Sequence, residues 1–177
     1  AQYVTDVDDP TAARTFGTRY VFADLEQSEL GIDLRLNVTF RPGTTLELYA
    51  QPFVGSGDYG ALKELVAPRT FDFATYGRDR GTIEPTGDGA FRVDPDAAGP
   101  AAPFTVDDED FNVRSLRGNA VFRWEWRPGS TLFLVWQQVR EDEAFIGDFD
   151  ASRDFRSLFS VTPENIFMVK VSYWLTP

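Results

Sequence analysis

From Leu30 to Phe40 the chain alternates without a break: Leu30, Ile32, Leu34, Leu36, Val38 and Phe40 are apolar, while Gly31, Asp33, Arg35, Asn37 and Thr39 stand between them. Neighbouring side chains of a strand point to opposite faces, so a strict period of two predicts a strand with one apolar and one polar face. An amphipathic helix would need apolar positions three and four apart. Arg41-Pro42-Gly43 follows, with a proline that fixes φ and a glycine that permits positive φ, which predicts a tight turn. Beyond it Leu46, Leu48 and Ala50 alternate with Thr45, Glu47, Tyr49 and Gln51, completing a β-hairpin.

The same pattern returns 86 positions later, where Trp126-Arg-Pro-Gly-Ser-Thr-Leu-Phe-Leu-Val-Trp-Gln137 matches Phe40-Arg-Pro-Gly-Thr-Thr-Leu-Glu-Leu-Tyr-Ala-Gln51. Ahead of this second turn Ala120, Phe122, Trp124 and Trp126 alternate with Asn119, Val121, Arg123 and Glu125. Two copies are too few for a solenoid and predict one hairpin geometry used twice in a sheet. Arg19 to Leu25 reads as a further strand, and so does the stretch from Phe167 to Leu175, where Phe167, Val169, Val171, Tyr173 and Leu175 alternate with Met168, Lys170, Ser172 and Trp174. The expectation is an all-β chain, an antiparallel meander of about six long strands forming one β domain, either barrel-like or an open sheet derived from a barrel. Its hairpins cover about 19–54 and 112–140, its last strand about 165–175, and long loops about 55–111 and 141–164. Only Tyr59 to Val66 offers a helical turn or two, since Leu62, Leu65 and Val66 share a face and Pro68 would end it.

Composition then removes whole classes of function. Cysteine and histidine are absent, so disulfides, thiolate nucleophiles, histidine triads and zinc-finger sites are excluded. A formal charge of −11 argues against nonspecific binding to nucleic acid or to an anionic surface. No apolar run approaches the length of a membrane-spanning helix, so any spanning would use strands. Short turns at one end and long acidic loops at the other are the plan of an outer-membrane barrel, and soluble sandwiches share it.

Phe111-Asn-Val-Arg-Ser-Leu-Arg-Gly-Asn-Ala-Val-Phe-Arg-Trp-Glu-Trp-Arg-Pro-Gly-Ser-Thr-Leu-Phe-Leu-Val-Trp-Gln137 resembles the C-terminal signature of a family of bacterial envelope proteins of unknown function. Leu48-Tyr-Ala-Gln-Pro-Phe53, Ser56-Gly-Asp-Tyr59 and Val169-Lys-Val-Ser-Tyr-Trp174 fit it as well, so the likeness runs from about Tyr3 to Trp174. The resemblance implies the last part of a large outer-membrane β-barrel. It also implies a chain several times longer with an N-terminal carbohydrate-binding-like module, which these 177 residues do not contain. Six strands are fewer than the usual minimum of about eight for a bilayer barrel. The expectation is therefore that the remainder of a longer barrel, or protein partners in a membrane assembly, cover the open edges and the apolar face.

Candidate chemistry is sparse. Asp6, Asp8 and Asp9, Asp94 and Asp96, Asp107, Asp108, Glu109 and Asp110, and Asp148 and Asp150 form acidic clusters; solvated loops are the plain reading. Asp107, Asp108 and Asp110 are the candidates for calcium, which takes six to eight oxygen ligands, and no other cofactor is expected. Asp33 or Glu47 with Glu125 would be the carboxylates for glycoside hydrolysis, but Arg35 and Arg123 offer simpler cross-strand partners, and no enzymatic activity is expected. Phe40, Tyr49, Trp124, Trp126, Trp136 and Trp174 admit three readings: packing or interface, a membrane girdle, or a stacking platform for sugars. Asn37-Val-Thr39 has the form of a glycosylation acceptor but lies inside a strand, and Ala1-Gln2 is compatible with a cleaved signal sequence or an internal cut.

Three functions follow. The first is a non-catalytic structural part of an outer-membrane barrel in a bacterial envelope. The second is a membrane-extrinsic subunit, on the periplasmic face of a membrane, that docks on a multisubunit complex such as a respiratory or photosynthetic one. The third is a carbohydrate-binding sheet using Trp124, Trp126 and Trp136.

Overall fold

The computed structural model describes residues 1 to 175. Its strands are β1 (Gln2–Asp8), β2 (Thr18–Ala23), β3 (Leu25–Gly31), β4 (Leu34–Arg41), β5 (Thr44–Tyr59), β6 (Lys63–Leu65), β7 (Phe73–Thr75), β8 (Thr82–Pro85), β9 (Ala90–Asp94), β10 (Phe104–Asp107), β11 (Phe111–Arg127), β12 (Ser130–Ala144) and β13 (Glu164–Ser172), with one α-helix, α1 (Ala151–Ser160), and a short 3-10 turn at Ala13–Thr15. The fold is all-β with antiparallel sheets, none of them closed into a barrel. Two compact units share the chain: Ala1–Gln27, Gly57–Phe111 and Phe145–Asp148 form the first, and Ser28–Ser56, Asn112–Ala144 and Phe149–Pro177 the second. The second unit holds ten acidic and ten basic side chains, so the formal charge of −11 falls wholly in the first.

The first unit contains a four-stranded sheet, β1-β2-β6-β7, and a three-stranded one, β10-β9-β8. Val21, Ala23, Leu62, Tyr76, Val93 and Val106 form its core, with Val4, Tyr59, Ile83, Phe91 and Phe104 packed against them. Most of this unit comes from the stretch that reads as a long loop. Its strands are three to five residues long, too short to show a period against the Gly, Pro and Asp around them. The segment expected to make a helical turn is β6 instead. Between Gly60 and Pro68 there is too little chain for a helix to repay its nucleation, whereas pairing Glu64 with Val21 brings Glu64 to Arg19.

That pairing builds a buried ionic network. Arg19 Nε donates to Asp9 Oδ2 at 2.6 Å, and its Nη1 to both Glu64 oxygens at 2.9 and 2.7 Å. Tyr76 donates its hydroxyl to Glu64 Oε2 at 2.7 Å, and Arg80 lies 2.6 Å from Glu64 Oε1. Burial and the neighbouring carboxylate push the Tyr76 hydroxyl far above its ordinary value. Burial alone would raise the Asp9 carboxyl too, but the bonds from Arg19 and Thr11 outweigh it and hold Asp9 below the usual range.

The second unit is a sheet of order β13-β12-β11-β5-β3, with β4 also paired to β5. Both predicted hairpins are present, β4–β5 closing at Arg41–Thr44 and β11–β12 at Arg127–Ser130. Gly43 and Gly129 have φ of 80° and 78°, the left-handed value that the position after proline needs in such a turn. In each turn the arginine Nε donates to the hydroxyl three residues on, Arg41 to Thr44 at 3.1 Å and Arg127 to Ser130 at 3.2 Å. Both hydroxyl residues are buried, so the repeated Arg-Pro-Gly-Ser/Thr is a turn that satisfies its own polar groups.

Helix α1 lies in the stretch read as an acidic loop. Asp150 caps it, accepting from the Ser152 and Arg153 amides at 2.9 and 3.0 Å. Leu158 is fully buried, and so is Asp154, which accepts from Asn112 Nδ2 at 3.1 Å and Arg153 Nε at 2.8 Å. Arg114 joins the cluster through Asn112 Oδ1 at 2.7 Å, Asp142 Oδ2 at 3.0 Å and Ser157.

Replacing Arg19 with alanine leaves Asp9 and Glu64 buried with fewer partners, and the expected cost to the first unit is roughly 3–5 kcal/mol, measurable by urea unfolding followed through tyrosine signals. Because the folded Asp9 carboxyl titrates below its unfolded value near 3.9, its contribution is complete above that value and is lost as pH falls through the folded one. Asp9→Asn should flatten the loss of stability on acidification below about pH 4.

Candidate functional site

The registers of the second unit set its apolar positions in rows. Leu34, Leu36 and Val38 on β4 stand opposite Ala50, Leu48 and Leu46 on β5. Ala120, Phe122 and Trp124 on β11 oppose Trp136, Leu134 and Leu132 on β12, and these oppose Phe167, Val169 and Val171 on β13. A shallow groove of about 480 Å³ joins the two hairpins on this face, lined by Leu34, Leu36, Leu48, Ala50, Ala120 and Trp136 among others. Leu34, Leu36, Phe40, Leu134, Phe167, Val169, Val171 and Tyr173 are all exposed, and nothing among the described residues covers them. The open area is on the order of 1,000 Å², well above the few hundred that a soluble monomer ordinarily shows.

Aromatic side chains mark both ends of the rows. At the turn end, Trp124 and Trp126 meet edge to face at 6.1 Å, and Phe40 follows on the β4 alternation. Arg127 lies 4.1 Å over the Tyr173 ring and donates to the Trp174 carbonyl at 3.1 Å. The Trp174 amide in turn donates to Ser130 Oγ at 3.0 Å, and a side-chain carbon at Gly129 would meet Trp174 at 2.9 Å. Toward the other end Trp136 stacks on Phe167 at 6.4 Å and donates its Nε1 to Asn165 Oδ1 at 2.9 Å. There the rows turn polar: Gln138 also donates to Asn165 at 3.1 Å, and Arg140 donates to the Phe159 and Val161 carbonyls at the C-terminal end of α1 at 2.8 and 3.1 Å.

The opposite face is polar toward β4 and β5 and mixed on β11, β12 and β13, where Val121, Phe133, Val135, Ile166 and Met168 share it. It presents Arg35, Asn37, Glu47, Tyr49 and Asn119 around a groove of about 360 Å³. Tyr49, one of the six aromatics singled out in the sequence, belongs here: its hydroxyl donates to Asp33 at 2.8 Å and its ring lies 5.3 Å beneath the Arg35 guanidinium. Its alternation with Leu48 and Ala50 carried that signal. The sequence reading did not single out Phe167, Tyr173, Asn165 or Arg140 as site residues. For the first two the alternation of the last strand was the available signal; Asn165 and Arg140 act through cross-strand neighbours that sequence does not name.

The chemical candidates stay apart. Glu125 Oε2 accepts from Arg123 at 2.9 Å and its Oε1 from the Gly129 amide at 3.2 Å, while Glu47 stands opposite Asn37 in the β4–β5 register and Asp33 holds Tyr49. Asp107 pairs with Ala90 at the end of β10, Asp108 accepts from the Asp110 amide at 3.2 Å, and Asp110 accepts from the Tyr59 amide at 2.6 Å. Burial, together with Asp108 and Asp58 nearby, raises the Asp110 carboxyl above its ordinary value. No group of three carboxylates among the described residues is arranged to hold a metal ion. Asn37-Val-Thr39 is paired strand throughout.

A family model described as a domain of unknown function, DUF5916, matches residues 13–176. The chain belongs to that family. No curated protein and no solved structure matches it. The match spans both units and both Arg-Pro-Gly turns.

Arg127→Ala removes the cation over Tyr173 and the bond to the Trp174 carbonyl. The end of β13 should fray, with hydrogen exchange at the Trp174 amide rising about five- to tenfold, as a loss on the order of 1 kcal/mol implies.

Proposed function

We propose that the second unit is a segment of an outer-membrane-type β-barrel wall in a bacterial envelope, with a structural and non-catalytic role. The observation that carries this reading is the face of β4, β5, β11, β12 and β13, whose apolar rows stand open to the surroundings, while the reverse face carries Arg35, Asn37, Glu47, Asn119, Arg123, Gln137 and Lys170 among its residues. Lipid is the solvent for which such a face is made: alternate residues meet hydrocarbon, and those between them meet a watery lumen. On β11 the side chains of this face run from Leu116 to Trp126; on β12 the matching row is apolar from Leu132 to Trp136 and continues as Gln138 and Arg140 opposite Gly118 and Leu116. Trp124, Trp126 and Tyr173 lie toward the turn end, at the depth an interfacial girdle would take, whereas Trp136 stands opposite Ala120 nearer the middle.

Balanced charge supports the same reading. A sheet with equal numbers of acidic and basic groups carries no net field into the membrane, and its charges face the lumen side or the ends. Docking on a protein complex would use the same apolar face; the cluster of Trp124, Trp126 and Tyr173 at the turn end favours lipid. Sugar stacking is disfavoured at Trp136, one side of whose ring is occupied by Phe167.

Arginine placed mid-row separates these readings. Leu134→Arg and Val169→Arg should each cost about 2–4 kcal/mol of membrane stability and sharply lower the amount of chain retained in the membrane, whereas Gln137→Arg on the reverse face should leave it near the parent level. Equal behaviour of all three, or a greater loss for Gln137→Arg, would contradict the lipid-facing assignment.

A further inference from the structure

The first unit repeats a loop. Ala12-Ala13-Arg14-Thr15-Phe16 lies between β1 and β2, and Ala67-Pro68-Arg69-Thr70-Phe71 between β6 and β7. They share one bond, in which the threonine hydroxyl donates to the alanine carbonyl three residues back, Thr15 to Ala12 at 3.3 Å and Thr70 to Ala67 at 2.8 Å. Each holds one non-glycine residue in the left-handed region, Phe16 at φ 58° and Arg69 at φ 61°, a conformation that side chains usually avoid. Because β2 and β6 are antiparallel neighbours in the order β1-β2-β6-β7, both loops leave the same end of the sheet. At their bases they are two strand spacings apart, roughly 10 Å.

What they present is the same too. Phe16 is 90% exposed and Phe71 94%. Arg14 and Arg69 are exposed, and among the described residues neither guanidinium has a hydrogen-bond or ion-pair partner. Pro10 to Gly17 and Val66 to Phe71 contain no carboxylate, although the unit around them carries the whole net charge of −11. Asp9, at the base of the first loop, is occupied by Arg19, and Asp72 is the carboxylate next to the second. The local sign is therefore reversed where the two phenyl rings stand out.

We infer that the paired Arg-Thr-Phe loops contact a phospholipid surface, the phenyl rings entering the boundary between headgroups and acyl chains and the guanidinia taking headgroup phosphates. Arginine matches phosphate with two parallel bonds, and phenyl rings beside cationic groups are what an interfacial element uses. Two separate tips suit a fluid surface better than a protein one. Two exposed phenyl rings offer about 400 Å² at most, against about 800 Å² per partner in a standard protein interface. The inference deepens the membrane reading above but uses a different unit, so the two fail separately.

The chain has no cysteine, so Phe16→Cys, Phe71→Cys and, as a control, Asp88→Cys can each carry a single environment-sensitive nitrobenzoxadiazole label. The full chain is reconstituted into phosphatidylethanolamine–phosphatidylglycerol vesicles with brominated acyl chains. Labels at 16 and 71 should shift to the blue and lose at least half their emission to bromine, the label at 88 should do neither, and Arg14→Glu with Arg69→Glu should abolish the effect. Labels that stay in water overturn the inference. So does a blue shift without bromine quenching, which would mark contact with a second copy, and so does equal quenching at all three sites. Trp124, Trp126, Trp136 and Trp174 all lie in the second unit and report on it independently. Tryptophans quenched while both labels stay wet would leave the barrel wall standing without the loop contact. Labels quenched with unquenched tryptophans would do the reverse.

Discussion

The second unit depends on the register between its two hairpins, which meet where β5 lies beside β11. The Glu125 amide donates to the Gly43 carbonyl at 2.7 Å, joining the tight turn of one hairpin to the last residues before the turn of the other. In a sheet with a period of two, a slip of one residue moves every apolar side chain to the wrong face. Each hairpin is pinned internally by its Arg-Pro-Gly-Ser/Thr turn, and the contact between the turns adds to the pairing of β5 with β11 that sets their mutual register. Gly43 is required twice over, by its positive φ and because a side-chain carbon there would lie 3.1 Å from Glu125 Cβ. Rows of leucine, tryptophan and valine continuous across the hairpins and β13 are the consequence, and the functional reading rests on that continuity.

The two units solve the problem of burial differently. In the first, a compact apolar core sits with an ionic network in which Arg19 is shared between Asp9 and Glu64. In the second, much of the large apolar surface points outward, and the fully buried groups include Asn112, Asp154 and Ser130 as well as Val54 and Leu158. These polar groups act as ties: they hold α1 to the base of β11 and the Trp174 amide to the turn at Ser130. A sheet stabilised at its ends by hydrogen bonds leaves its apolar middle open, and the proposed barrel wall gives that middle lipid to face.

The long strands were legible because each alternates for seven residues or more and is bounded by Pro and Gly. The repeated turn was legible because its residue types are demanded by its geometry. The first unit was not, since strands such as Lys63–Leu65 and Phe73–Thr75 are held by neighbours distant in sequence. Helix α1 did leave a trace, with Asp150 as cap and Ala151, Phe155, Leu158 and Phe159 at helical spacing, but it was masked by the acidic stretch around it. Of the six aromatics, alternation already separated Tyr49 from its apolar neighbours, yet its partners Asp33 and Arg35 became visible only in the register. The twin Arg-Thr-Phe tripeptides were present in the sequence all along. What gives them meaning is the topology that brings both to one end of a sheet.

The central claim, that the open face of the sheet meets hydrocarbon, is tested most directly by washing native membranes with alkaline carbonate and following the peptide Arg127-Pro-Gly-Ser-Thr-Leu-Phe133 by mass spectrometry. Carbonate strips proteins held by protein contacts and leaves those embedded in lipid. The account predicts that the peptide stays with the pellet. Its release into the supernatant would mean that the apolar rows are covered by a protein partner, and the barrel wall would have to be given up.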